Sequence, residues 1–329
     1  MKLLSDHFFL PDRYCMESFP VVKDFNLPGF SKTHPGDMIK CLCPTDIEME
    51  DYFETFINRI EQSISLRQHF PVLRISDGEL EFLFDRIWLN NREKIPTKFL
   101  NFLRFCRDSV LYRGGLNALT IGIYKSGRYS RKEVLELRPK FFKAVIDILG
   151  SGNVAFHLNY LSNPFHEQYF PNLDSFLQSI DCNVNTKNSI PFYFVYALFS
   201  SGRAKKIFSD KHICLVHSAA PYVRDIIEAN LSAALNIGKV SWLSISEERS
   251  FYDILSCESI DDYDAIFVGG GIGKANLFHQ LSKFSGPIID AGYFFEVWRD
   301  PENRFKRVFC ATDDDWISRG VGNVFEAGI

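Results

Sequence analysis

From His212 onward the chain repeats one unit, a short apolar run followed by a stretch of helical periodicity. The runs are His212–Val216, Val240–Ile245, Ala265–Val268 and Pro287–Ile289, and the helical patterns lie near 220–235, 248–257 and 273–284. Strands separated by connections this long cannot pair as hairpins. A helical crossover returns the chain in its starting direction, which gives parallel pairing, right-handed connections and helices on both faces. The expectation is an α/β fold around a mostly parallel sheet.

The first half fits the same scheme less regularly. Thr45 and Glu48 form a capping box ahead of a helix whose apolar stripe is Phe53, Phe56, Ile57, Ile60 and Ile64, and this helix ends before Pro71. Val72, Leu73 and Ile75 close a strand, after which Leu80, Leu83, Phe84, Ile87 and Trp88 recur at helical spacing. Pro96 and Thr97 open a further helix, residues 119–124 read as a strand, 131–149 as a helix that Pro139 kinks or divides, and 154–158 as another strand. The following loop, 159–171, carries Tyr160, Phe165 and Tyr169, which pack inside or offer aromatic faces to a ligand. Residues 1–45 hold five prolines (11, 20, 28, 35 and 44) without periodicity and read as an irregular arm. No linker-like break follows, so residues 46–329 are expected to form a single domain.

Charge and cysteine usage narrow the class. A net charge of −4 supplies no general attraction for nucleic acid or anionic lipid. Eight scattered cysteines, with one C-x-C at Cys41 and Cys43 and no paired C-x-x-C, fit a reduced, cytoplasmic compartment better than a zinc or disulfide framework. No apolar run approaches the roughly 18 residues of a membrane span, and the first residues lack the apolar core of a signal peptide. The 32 phenylalanines are expected mostly in the core.

Three strand ends carry residues suited to chemistry. Asp77 and Glu79 flank Gly78 where a strand gives way to a helix, the position at which open α/β sheets bind ligands. Two carboxylates there can hold a divalent ion against a diphosphate, and Ser76 to Glu79 equally fits a helix capping box. The second is the glycine turn through Gly270, Gly271 and Gly273 to Lys274, which lets a phosphate approach the backbone or is simply tight. It lacks the first glycine and the Ser/Thr of a Walker loop, and the third glycine of a dinucleotide fingerprint. The third is His217-Ser218, which can bond a base, ribose or phosphate. Asp290 and Glu296 close the last strong strand and add two carboxylates, with Asp290 facing the crevice of Asp77. Asp313 to Asp315 read as a solvated turn.

Arg74-Ile-Ser-Asp77-Gly78-Glu79 resembles the R-x-G-D-G-E signature of the GT-D-fold glycosyltransferases. Val268-Gly-Gly-Gly-Ile-Gly-Lys274, Leu281, Ile289-Asp290-Ala-Gly292-Tyr293 and Glu296-Val-Trp298 are similar to that family's closing blocks, and the likeness spans roughly residues 46–300. It implies a Rossmann-like GT-D domain and a transferase that moves a sugar from a UDP- or dTDP-linked donor to a glycan or glycoconjugate. The pathway it implies is assembly of a bacterial surface polysaccharide or glycoprotein. By the same resemblance Asp77 and Glu79 take Mn²⁺ or Mg²⁺, while Arg74, Ser76, Gly78, the glycine turn, Lys274, His217 and Ser218 lie against the donor. Arg74 either offsets phosphate charge or forms a structural ion pair, and Asp290 and Glu296 are the candidate bases. A lipid-linked acceptor would bring such an enzyme to a membrane surface. Two departures stand out: Ser76 replaces a glycine, and Tyr293 stands where the family commonly has histidine, so no imidazole role carries over. The residues themselves leave open another nucleotide-cofactor enzyme, a methyltransferase or dehydrogenase, or a non-catalytic glycan-pathway protein.

Overall fold

The computed structural model describes residues 8–9, 39–41, 43–44, 49–75, 79, 131–160, 187–247, 249–256, 260–306 and 310. Its strands are β1 (Phe8–Phe9), β2 (Ile39–Cys41), β3 (Cys43–Pro44), β4 (Phe70–Ile75), β5 (Asn153–Tyr160) and β6 (Ser189–Pro191), followed by β7 (His212–His217), β8 (Lys239–Ser244), β9 (Ala265–Gly269) and β10 (Pro287–Asp290). The helices are α1 (Met49–Ser65), α2 (Arg131–Ser151), α3 (Phe194–Ser200), α4 (Gly202–Phe208), α5 (Pro221–Leu235), α6 (Lys274–Gln280) and α7 (Phe294–Arg299).

One sheet runs in the order β2-β5-β4-β10-β9-β7-β8, with β6 sharing the outer side of β5. All its pairings are parallel except that of β2, which lies antiparallel to the end of β5. Residues 39–41, expected within the irregular arm, therefore add a strand to the sheet. From β4 the chain steps outward to β5 and β6; from β7 it steps outward to β8 and then back through β9 to β10, beside β4. The carboxyl ends of β4, β10, β9 and β7 consequently stand side by side where the strand order turns back.

Side chains alternate between two buried layers, as the period of two in a strand requires. Val72, Ile213, Leu215, Ala265, Phe267 and Ile289 face an aromatic layer formed with α1, α3, α4, α5 and α7. Leu73, Cys214, Val216, Ile266, Val268 and Ile288 face a mainly aliphatic layer formed with α2 and α6. The phenylalanines concentrate in the first. Phe199 meets Phe267 edge-on at 5.1 Å and Trp298 at 5.3 Å, and Phe53 meets Phe194 at 5.1 Å. Such pairs add about 0.5–1.5 kcal/mol each beyond burial. Among the described residues no helix is long and apolar enough to cross a membrane.

Several local expectations need correction. In the stretch expected to be helical near 248–257, the described residues 249–256 form no α-helix but a single 3-10 turn at Ser250–Tyr252. Side chains of neighbouring elements take over the backbone there: the Ser246 N–H donates to Asp253 (2.6 Å), the Leu255 N–H to Gln280 (2.8 Å), and Asn276 and Gln280 donate to the carbonyls of Phe251 and Asp253 (both 2.9 Å). That competition favours irregular chain. The helix expected over 273–284 is the seven-residue α6, entered through a 3-10 turn at Gly271–Gly273. Pro139 does not divide α2, which runs unbroken from Arg131 to Ser151 with the proline exposed. The helices expected at 78–90 and from Pro96, the strand at 119–124 and nearly all of the 159–171 loop lie outside the described residues.

Candidate active site

Four charged side chains meet at the carboxyl ends of β4 and β10. Arg74, the penultimate residue of β4, is pinned to Asp290 at the end of β10 in three ways. Its backbone N–H donates to Oδ2 (3.1 Å), its Nε to the Asp290 carbonyl (2.9 Å) and its Nη2 to Oδ1 (3.0 Å). Lys274, at the start of α6, places its Nζ 2.8 Å from Oδ2 of Asp290 and 2.8 Å from Oε1 of Glu79. All four residues are buried, with 5% exposure for Arg74 and Lys274, 4% for Glu79 and 1% for Asp290. Two cations and two carboxylates thus form a buried quartet of zero net charge.

The charges hold one another in place. Burial disfavours every ionised form, yet Arg74 and Lys274 beside it keep the Asp290 carboxyl below the usual carboxylate range. Burial likewise opposes the charge on Lys274, and Asp290 and Glu79 outweigh it and raise its pKa. Arg74 is raised against its own burial by Asp290 and Tyr196, and its guanidinium lies 4.7 Å over the Tyr196 ring and 5.5 Å over that of Phe192. Of the two roles open to Arg74, the geometry realises the structural ion pair. Asp290, with both oxygens engaged and its proton disfavoured, has the geometry of an anchor rather than of a proton acceptor.

Gly292 makes this packing feasible. Its φ is +47°, a left-handed conformation that other residues resist, and a Cβ built there would lie 1.6 Å from Nη2 of Arg74. Next to the quartet stands the glycine turn, where the Gly270 carbonyl accepts the Ser250 hydroxyl at 2.7 Å and the chain enters Gly271–Gly273 before Lys274.

Farther along the same edge, His217 ends β7 directly opposite Gly269 of β9. Its ring stacks on Phe295 at 4.2 Å between centroids and 13° from parallel. Glu296, on the next helical position, is partly exposed and pairs with Arg299 at 2.8 Å. Ser218 follows His217 on the same loop.

Two solved structures are similar to this chain. One is a glycosyltransferase of the DUF1792 group from Streptococcus sanguinis, 10% identical, with 81% of this chain covering 85% of that one at a TM-score of 0.40. The other is a selenomethionine-substituted domain of unknown function 1792, 11% identical, with 81% of this chain covering 87% of that one at a TM-score of 0.42. No family model matches the chain. No curated protein matches it either.

The structure brings together Arg74, Glu79, Lys274 and Asp290, and sets His217, Ser218, Gly270, Gly271 and Gly273 along the same edge. Ser76, Asp77 and Gly78 lie outside the described residues, and so do Asp313 to Asp315. Among the described residues no cluster of three His, Cys, Asp or Glu forms a ready cation site. Phe295, through its stack on the ring, and Arg224 of α5, whose Nε donates to the Ala219 carbonyl at 2.8 Å, hold the His217 end together, and the sequence reading picked out neither. A lone arginine in an amphipathic helix and one more phenylalanine among many carry no distinguishing pattern.

Proposed function

We propose that the chain is a metal-dependent glycosyltransferase that moves a sugar from a UDP- or dTDP-linked donor to a glycan or glycoconjugate acceptor in bacterial surface polysaccharide or glycoprotein assembly. The observation that carries this reading is the buried quartet, set at the carboxyl ends of β4 and β10 where strand order reverses and built from residues of the R-x-x-D-x-E segment and the closing blocks. Arg74 and Lys274 hold Asp290 and Glu79 in fixed positions at the strand ends, and side chains fixed in this way need no rearrangement during reaction.

The proposed cofactor is a divalent ion held by Glu79 and Asp77. Glu79 is a hard oxygen donor at the strand ends, the ligand type that Mg²⁺ and Mn²⁺ prefer, and Asp77 is the expected second ligand. Bound by these two residues, such an ion would withdraw charge from the leaving diphosphate. Glu79 shares Oε1 with Lys274, so the ammonium balances this carboxylate and fixes its direction. Asp290 positions Arg74 and Lys274, which leaves Glu296 as the candidate proton acceptor for the attacking hydroxyl. An acceptor carried on a lipid would bring the enzyme to a membrane surface, and the expected compartment is the cytoplasm.

The test is release of nucleoside diphosphate from a panel of UDP- and dTDP-sugars with and without Mn²⁺. Turnover that needs the ion, and that Asp77→Asn abolishes without altering the melting temperature, supports the assignment. Full activity in Asp77→Asn, or no turnover of any donor, overturns it.

A further inference from the structure

Between α3, α4, α5 and α7 lies a cavity of about 340 Å³ to which no member of the quartet contributes. Its floor is the buried surface of Phe199, Leu235, Phe294, Val297 and Trp298. Its rim is exposed at Gly202, Lys205, Ala234 and Pro301, and a Cβ added to Gly202 would meet nothing within 4 Å. Ligand pockets typically measure roughly 300–1,000 Å³, so this space suits a single ring or an alkyl chain of medium length. Helix α7 turns Phe294, Val297 and Trp298 to the cavity and Phe295 to His217, so the cavity and the strand ends share a helix and no residue of it.

Hydrogen bonds fix the walls. Ser201 separates α3 from α4 and caps the second helix by accepting the Arg203 N–H at 3.3 Å, which turns the chain at the rim. Asn230 of α5 donates to the Trp298 carbonyl of α7 at 2.8 Å and holds those two helices at a set separation. On the floor, Phe199 meets Trp298 edge-on at 5.3 Å. Side chains packed in this way keep the cavity's shape whether or not it is filled.

Its charge sets the cavity apart from the rest of the chain. The whole sequence carries a net −4, yet among the described residues that line the cavity none is acidic, while Lys205 and Arg304 are cationic. Lys205, in the last turn of α4, forms no ion pair among the described residues, and Glu54 is taken by Arg203 one turn away. The Nε of Arg304 donates to the Pro301 carbonyl at 3.1 Å. An apolar floor beneath two cations favours a molecule with an apolar body and an anionic head, and repels a cationic one.

We propose that this cavity binds a small amphipathic anion, its body on the Phe199 and Trp298 rings and its head towards Lys205 and Arg304 at the rim. The head is a carboxylate or a phosphate monoester, either of which both cations accept. The proposal makes no use of the transferase reading and stands or falls apart from it.

Titration calorimetry of the full chain with octanoate, octyl phosphate and octanol tests this, because the three share one body and differ in the head. Both anions are expected to bind at least about tenfold more tightly than octanol. Lys205→Met and Arg304→Met each remove one charge from a side chain that the fold does not bury. Each is expected to weaken the anions by about threefold, and the pair by about tenfold, with octanol unchanged. Tighter binding of octyl phosphate than of octanoate assigns a phosphate head, and the reverse a carboxylate. Hydrogen exchange with and without octanoate locates the site, with slower exchange expected in 199–205, 230–235 and 294–304.

Octanol binding as tightly as the anions overturns the inference, as does unchanged anion affinity in the double variant. Protection confined to other segments overturns it too. So does the absence of binding by either anion at about 1 mM.

Discussion

Replacing Lys274 by methionine removes the hub of the quartet while keeping a side chain of similar length. The ammonium stands 2.8 Å from Glu79 and 2.8 Å from Asp290, and the side chain is only 7% exposed. At an effective dielectric constant of about 20, each contact represents roughly 6 kcal/mol of gross attraction. Desolvation of the ammonium offsets much of this, and truncating one member of a buried ion network typically costs about 3–5 kcal/mol. The substitution takes the quartet from zero net charge to −1, with two carboxylates sharing the one remaining cation. The expected destabilisation is near the lower end of that range, since uptake of one proton relieves the repulsion. Glu79→Gln in the same background restores neutrality and is expected to return at least about 1 kcal/mol, a coupling that independent sites would not give. Urea unfolding at pH 7, followed by far-UV circular dichroism, measures both through the midpoint at constant m. A cost below about 1 kcal/mol for Lys274→Met, or strict additivity in the double variant, would refute the quartet as a cooperative unit.

Gly292→Ala forces a Cβ to within 1.6 Å of Arg74 Nη2 at φ +47°. The left-handed conformation alone costs about 1–2 kcal/mol. Displacement of the guanidinium adds to it, so a thermal melt within a degree of wild type would count against the assigned packing. Acid is expected to weaken the fold in two stages. His217, at about 4 when folded against 6.5 unfolded, favours the native state above pH 6.5. That advantage is lost as pH falls towards 4, by up to about 3 kcal/mol. Asp290 is depressed from 3.8, so its contribution is complete above that value and disappears as pH falls below it. Urea midpoints between pH 7 and 4 check the first stage, where His217→Gln should flatten the decline.

The alternation after His212 was legible because each strand there is a compact apolar run, with a helix between β7 and β8 and another between β9 and β10. α1 was equally legible, its stripe of Phe53, Phe56, Ile57 and Ile60 being fully buried. β6 was not, since three residues are too few for a period to register, and the α3–α4 pair hides its break in Ser201, which caps α4 by accepting the Arg203 N–H at 3.3 Å. Residues 248–257 carry helical spacing that tertiary contacts with Asn276 and Gln280 override. Asp290 and Arg74 each stood out as chemistry-bearing residues at a strand end. Their mutual bond spans 216 positions of chain, and only sheet order could bring them together. The same holds for His217: its place at a strand end was readable, while the Phe295 stack depends on a contact from α7.

Helix α7 is barely a turn and a half long, and almost every residue in it has a separate duty. Phe294, Val297 and Trp298 fill the aromatic layer, Phe295 supports the imidazole, Glu296 and Arg299 line the rim, and the Trp298 carbonyl receives Asn230 from α5 at 2.8 Å. Inserting a single amino acid before Phe294 would rotate the whole segment by about 100° and hand each of these tasks to the wrong side chain. The segment from Asp290 to Arg299 is therefore constrained in its spacing as well as in its residues.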